Sequence, residues 1–343
     1  MDGHMHEVKE EVRHLWELCF QDSPEFMDLY FRDRYRDERN EYIVHEGRVV
    51  SALQLIPYEL TSWQGRFPMA YLSGVCTHPD ARHQGFMRRL LMQTHRRLYQ
   101  DGCPLASLIP AEPWLFDCYA ASGYVPLFTY GWERLVEASV QGNFEVCDYR
   151  DAPSGVYEYF NREMAGRACC VQHDRADFQV IMADLALSGG HLWVARREGV
   201  VAGIAFSVPD LVGCRFNECL ADSPEVRQAL VNTACERGFA KHVDWLHPVS
   251  SGREGHRLGM LRIVHAERIL EHYARTHPEA DACWHVIDPD ISENNACFRL
   301  EHGTCTKHPV HDSAPGKVAS VSIGDLALYL WKEECPYMSL MLN

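Results

Sequence analysis

The chain has 343 residues, 46% of them hydrophobic, with a formal net charge of -15 at pH 7 and a pI near 5.7. Such an acidic chain repels the phosphates of nucleic acid and the head groups of anionic lipid, so neither is an expected partner, whereas a cationic one is. No apolar run of the roughly 18 residues needed to span a bilayer is present, and Met1 to His14 is charged rather than signal-like, so a soluble cytoplasmic protein is expected.

From Glu7 to Phe20 the apolar residues Val8, Val12, Leu15, Trp16 and Cys19 recur at helical spacing, and Ser23-Pro24 supplies the N-cap and first-turn proline of a second helix. Glu41 to Pro57 reads as a β-hairpin, because runs rich in β-branched residues flank a charged turn containing glycine. Pro68 to Thr77 follows as a strand, then the turn Arg82-His83-Gln84-Gly85-Phe86-Met87, then an arginine-rich helix from Gly85 to Gln100. Cys103 to Pro110 reads as a buried strand. Pro113 to Ser122 is a short helix ended by Gly123, where a left-handed residue is least strained.

The hairpin recurs as His191 to Pro209, with Val49 to Leu53 and Val200 to Ile204 set 151 residues apart. After its next strand, Arg215 to Leu220, the second copy runs from Ala221 to Glu225 into a helix, with no glycine turn, no arginine there, and carboxylates that oppose a phosphate. A glycine-rich break near Gly255 opens a third segment with strands at Trp284 to Ile287, Ala296 to Leu300 and Val318 to Ile323, and a helix at Asp325 to Leu330. A chain of this length exceeds one ordinary core. The 14 cysteines form no CxxC pair and lie in apolar segments, so reduced core thiols are expected; His302, His308 and His311 read as a solvated loop, and no metal site is expected.

The turn after Thr77 suits a pyrophosphate. Consecutive N–H groups at a helix start, and the positive end of its dipole, favour an anion. Gly85 lets the backbone come close, and Arg82, Arg88 and Arg89 add full charges. A glycine turn with arginines can equally be a plain helix cap. Its surroundings decide: Arg82-x-x-Gly85-x-Met87 resembles the (Arg/Gln)-x-x-Gly-x-(Gly/Ala) phosphate loop of the GNAT superfamily of acetyl-CoA-dependent acyltransferases. Met87 departs from the small residue at the last position, and a larger residue there is similar to the Eis-type branch. Tyr119-Ala-Ala-Ser-Gly123-Tyr124 resembles the family's Tyr-x-x-x-Gly-(Phe/Tyr) signature, and the third segment resembles the sterol-carrier-like domain that closes Eis-type chains.

The resemblance implies an α/β fold class: tandem GNAT folds with a sheet splayed at the cofactor, followed by an α+β sterol-carrier-like domain. Residues 1–136 would be the catalytic GNAT domain, 137–253 a second, degenerate GNAT-like domain without coenzyme A, and 254–343 the sterol-carrier-like domain with the C-terminal tail. It further implies acetyl-CoA as co-substrate and no metal. The main chain of Val75, Cys76 and Thr77 would pair with the pantetheine arm, while Arg82, His83, Gln84, Gly85, Phe86, Met87 and Arg88 would hold the pyrophosphate. Cys76, lacking a histidine partner, reads as a strand residue and not a nucleophile.

Tyr119 would be the acid for the departing thiolate, since a phenol with an ordinary pKa of about 10 keeps its proton at neutral pH. The apolar ending Pro336 to Asn343 is expected to dock. It packs either on the third segment or, as in Eis-type enzymes, with its terminal carboxylate in the first domain's site; in the second case the Asn343 carboxylate is the base or amine anchor, with Glu112 and Asp117 as fallback bases. The implied acceptor is a primary amine of a cationic small molecule or of a lysine side chain, and the implied assembly a homo-oligomer. Two other readings stay open: a non-catalytic acyl-CoA-binding module, and lipid binding by the third segment.

Overall fold

The computed structural model describes residues 2–211, 213–238, 240–249, 252–309 and 319–342, with side chains from residue 8 onward. Local sequence sets the first elements. Helix α1 (Asp2–Cys19) buries Val8, Val12, Leu15 and Trp16. Helix α2 (Pro24–Asp33) starts as its caps require: Ser23 Oγ accepts from the Phe26 amide at 3.2 Å, and Pro24 stands where no N–H is needed. A hairpin of β1 (Asn40–His45) and β2 (Arg48–Ser62) follows, then β3 (Gly65–Thr77), α3 (Phe86–Gln100), β4 (Leu105–Leu108) and α4 (Leu115–Ala120). Strand β2 pairs antiparallel with β1 and β3, and β3 pairs parallel with β4. The inner face of α3, with Phe86, Leu90, Leu91 and Leu98, packs on Leu53, Leu55, Leu72, Ala106 and Leu108 of these strands in one core.

Strand β5 (Val125–Leu135) leads to β6 (Glu145–Asp148), α5 (Val156–Ala165), β7 (Cys170–Gln172), α6 (Arg175–Leu187), the hairpin β8 (His191–Arg197) and β9 (Val200–Pro209), β10 (Cys214–Ala221), α7 (Pro224–Gly238) and β11 (Val243–Pro248). The last stretch forms β12 (His256–Ile263), α8 (Ala266–Thr276), β13 (Ala282–Ile287), β14 (Cys297–Glu301), β15 (Thr304–His308), β16 (Ala319–Ser322) and α9 (Ile323–Trp331). Strands β13 to β16 make a small second sheet in the order β15-β14-β13-β16.

The compact units are not contiguous in sequence. Residues 1–128 with 258–334 form one, and 129–257 with 335–342 form the other. In the first unit β12 lies antiparallel to β4, with Met260 opposite Leu108 and Ile263 opposite Leu105. In the second unit the same place is taken by β5, antiparallel to β11, with Tyr130 opposite Pro248 and Leu135 opposite Val243. The two copies thus share a strand plan: hairpin, third strand, parallel fourth strand, antiparallel fifth. Each fifth strand, however, comes from the chain that follows the other copy. Compactness therefore groups 258–334 with 1–128, whereas the division expected from the sequence falls after 136 and 253.

The tail docks, as its apolar composition requires, and residues 335–342 do so in the second unit, not on the third segment. The Val171 amide donates to Tyr337 O and the Tyr337 amide to Cys169 O, both at 3.1 Å. Buried Glu218 accepts from Ser339 Oγ at 2.7 Å and from two nitrogens of Arg167 at 2.7 and 2.9 Å. Burial opposes its charge, but Arg167 and Ser339 outweigh burial and hold the carboxyl below its ordinary value. Asn343 and His311 lie outside the described residues. His302 is exposed in the β14–β15 turn, whereas His308, also exposed, is not in a loop but ends strand β15 opposite Cys297. The cysteines are free thiols, about half of them buried. Among the described residues no helix is long and apolar enough to cross a membrane.

Candidate active site

The turn between β3 and α3 is shaped by two left-handed residues, His83 at φ +61° and Gly85 at φ +80°, with Gly85 as the helix N-cap. A Cβ on Gly85 would meet nothing within 4 Å. Glycine is therefore demanded by the backbone conformation, and the space beside it is open to a ligand. The first backbone bond of the helix runs from the Arg89 amide to Gly85 O at 3.0 Å. Ahead of it, among the described residues, none of the N–H groups of His83, Gln84, Gly85, Phe86, Met87 and Arg88 has a protein acceptor. A run of unpartnered donors at a helix start is an anion-binding arrangement.

The side chains of this turn brace it. Arg82 Nε donates to Thr77 O at 3.3 Å, and its Nη2 lies 3.9 Å from Cys19 Sγ. Gln84 Nε2 donates to Asp80 O at 3.1 Å, Arg88 is ion-paired with Asp290, and Arg89 lies over the Phe86 ring. The residues expected to hold pyrophosphate are thus together, but Arg82 and Arg88 are engaged by protein groups, and the backbone supplies the free donors.

Strand β3 approaches this turn with one edge uncovered. Its register with β4 stops at Tyr71 opposite Ser107, while pairing with β2 continues to Thr77 opposite Ser51. Val75, Cys76 and Thr77 sit in the stretch that β4 leaves. Cys76 is buried, and the hydrogen bond it shares with Cys19, followed by burial, holds its thiol well above the ordinary value. The same thiol pair, helped by Arg82, pulls Cys19 down to about 6. Cys76 is therefore a protonated strand residue, and the thiolate character belongs to Cys19, which sequence reading saw only as one apolar position of a helix.

Tyr119 lies on α4, 4% exposed, with its ring edge-on to Tyr124 at 5.9 Å. Burial, with lesser contributions from Cys118 and Cys76, pushes its hydroxyl above the ordinary value of 10.0, so it carries its proton at neutral pH. Glu112, before the same helix, and Asp117, on it, are exposed. The helix closes at Gly123, φ +81°, where a Cβ would stand 2.1 Å from Arg262 Nη1. Conformation and close approach both require glycine there. Arg262 is fully buried and donates to Ser122 O at 2.5 Å and Asp288 Oδ1 at 2.6 Å.

Behind α3 and α4 lies a buried polar network that sequence reading missed. His95 is fully buried, with Nδ1 2.7 Å from Asp290 Oδ2 and Nε2 3.0 Å from the Tyr124 hydroxyl. Burial, reinforced by the charge of Arg262, pulls the imidazole down to about 4, so it is neutral. Asp290 is opposed by burial, yet His95 and Arg88 hold its carboxyl below the ordinary value. An ionised Asp290 must accept; Nδ1 therefore carries the proton, and Nε2 accepts from the Tyr124 O–H. The partners lie 195 residues apart in the chain, and Asp288-Pro-Asp290 is the kind of spacing any turn can have.

Residues 6–126 match the family described as the acetyltransferase (GNAT) domain. No curated protein matches the chain. Solved structures similar to it include a GCN5-related N-acetyltransferase from Anabaena variabilis, at 18% identity and TM-score 0.76, covering 97% of this chain and 97% of that one. A protein from Enterococcus faecalis described as a probable N-acyltransferase has 15% identity and TM-score 0.76, covering 94% and 87%. Eis1 from Mycobacterium abscessus has 17% identity and TM-score 0.71, covering 95% and 86%. At these identities the likeness establishes the fold, over most of the chain. The match, with the glycine turn inside it, identifies residues 6–126 as an acetyltransferase (GNAT) domain, of a family whose co-substrate is an acyl-CoA.

Proposed function

We propose that the chain transfers the acetyl group of acetyl-CoA to a primary amine of a cationic small molecule or a lysine side chain, by direct attack of the amine on the thioester. The observation that carries this reading is the run of unpartnered N–H groups from His83 to Arg88 at the end of a strand whose neighbouring edge is uncovered. In this reading the pyrophosphate sits on those donors, with Arg82 and Arg88 lending charge from behind. The pantetheine arm lies along Val75, Cys76 and Thr77 as an added strand would.

The amine reacts only when neutral, so its proton must leave, and the departing thiolate needs one. Tyr119 donates that proton, its burial keeping the hydroxyl protonated until the leaving sulfur demands it. The Asn343 carboxylate takes the proton of the amine, a role supported by resemblance to Eis-type enzymes; the exposed Glu112 and Asp117 draw the cationic acceptor toward α4. Residues 137–253 act as a degenerate copy without coenzyme A, 254–343 as a scaffold, and the chain works as a homo-oligomer. The test is mass-spectrometric detection of acetylated product from acetyl-CoA with polyamines, aminoglycosides and lysine peptides. Product that is lost in Tyr119→Phe and reduced by one added C-terminal residue is expected. No product from any acceptor, with coenzyme A binding intact, would favour a non-catalytic binding module.

A further inference from the structure

The geometry points to Asp290 as a positioning residue for the coenzyme-binding turn: a carboxylate from the loop after β13 that fixes the first turns of α3 so that its free N–H groups converge before the ligand arrives. This rests on the reading of that turn as the pyrophosphate site.

One residue, Asp290, reaches three residues of the helix, two through its carboxylate and one through its main chain. Asp290 Oδ1 pairs with Arg88, Oδ2 with His95 Nδ1 at 2.7 Å, and its main-chain oxygen accepts from Arg96 Nε at 3.4 Å. Arg88 and His95 are two turns apart on one helical face, so the carboxylate spans the stretch of α3 that starts at Arg88, the last of the unpartnered donors. Its own position is fixed from below. The amides of Asp290 and Ile291 donate to Asp288 Oδ1 at 2.9 and 3.2 Å, and buried Asp288 is held by Arg262 at 2.6 Å and by Asn294 Nδ2 at 2.8 Å. The side chain of Asp290 is fully buried, while that of Arg88 is 41% exposed. The clamp is thus anchored inside the fold and acts outward on the turn. A site whose donors are already fixed loses less conformational freedom on binding, so the clamp adds affinity only for the part of the ligand that those donors contact.

The test compares coenzyme A with pantetheine, which lacks the diphosphate, by calorimetric titration of the full chain. Asp290→Asn is expected to weaken coenzyme A about tenfold, or roughly 1.4 kcal/mol, and to leave pantetheine unchanged. Equal weakening of both ligands, or of neither, overturns the inference. Because Asp290 is buried, Arg88→Gln is made in parallel at the half-exposed end of the clamp. It must show the same diphosphate-selective loss, and the double variant must be no weaker than Arg88→Gln alone. Additive losses overturn the inference too. A native chain that binds coenzyme A no better than pantetheine would instead overturn the phosphate reading itself.

Discussion

The two copies of the hairpin fold differ most where a strand hands over to a helix. In the first, the β3–α3 turn carries Gly85 in a left-handed conformation and leaves the donors from His83 to Arg88 without acceptors. In the second, the β10–α7 turn engages donors in a cap of its own. The Asp222 amide bonds to Ala202 O at 2.9 Å, Pro224 has no N–H, Ser223 Oγ accepts from Val226 N at 3.4 Å, and Ser223 O from Arg227 N at 3.1 Å. Asp222 also brings a carboxylate, which accepts from Tyr159 Oη at 2.9 Å. The same strand plan thus leaves a run of donors open in one place and caps the helix in the other, and the difference is a handful of residues.

The largest effects should come from what holds the first unit together. Arg262→Met leaves Asp288 buried without its cation, which costs about 3–5 kcal/mol; thermal melts should show it, and a chain ending at residue 136, lacking β12 and Asp290, should give no cooperative melt. Acid should act on the same network. The His95 imidazole falls from 6.5 to about 4 on folding, so between those pH values the unfolded chain holds more proton, and stability declines as pH falls through that window. The full loss is about 3 kcal/mol, and denaturant titrations across the window should show a shallower slope in His95→Gln.

Catalysis should be the next most sensitive. Tyr119→Phe is expected to lower kcat by about 100-fold or more with coenzyme A binding unchanged. The Tyr119 hydroxyl is held above 10.0, so its ionisation should produce no falling limb in the rate profile below that pH. The smallest effects sharpen the comparison most. Gly85→Ala forces a Cβ onto a left-handed residue, with a strain of about 1–2 kcal/mol, and should weaken coenzyme A. Ser223→Ala, at the matching place in the second copy, should lower stability by about 1 kcal/mol through the lost cap and leave coenzyme A binding untouched.

Much of this was legible from local signals. Ser23-Pro24, the hairpin repeat, the Gly85 turn and Gly123 each impose a backbone conformation on their immediate neighbours, and the structure places them accordingly. What the sequence hid is non-local. Nothing in His256 to Ile263 announces that it will pair with β4 of the first copy, because strand partners are chosen by burial and register across long distances. Arg82 and Arg88 flank the turn in sequence, but their partners, Cys19 and Asp290, come from remote stretches. Asp290 is a lone carboxylate in sequence and becomes a clamp only when β12 and the loop after β13 pack behind α3.

The most direct test is the stoichiometry of coenzyme A measured by calorimetric titration of the full chain. One site per chain, weakened by Gly85→Ala and indifferent to Ser223→Ala, is the predicted result. Two sites per chain, or a single site that Gly85→Ala leaves intact, would contradict the assignment of the first turn as the coenzyme site.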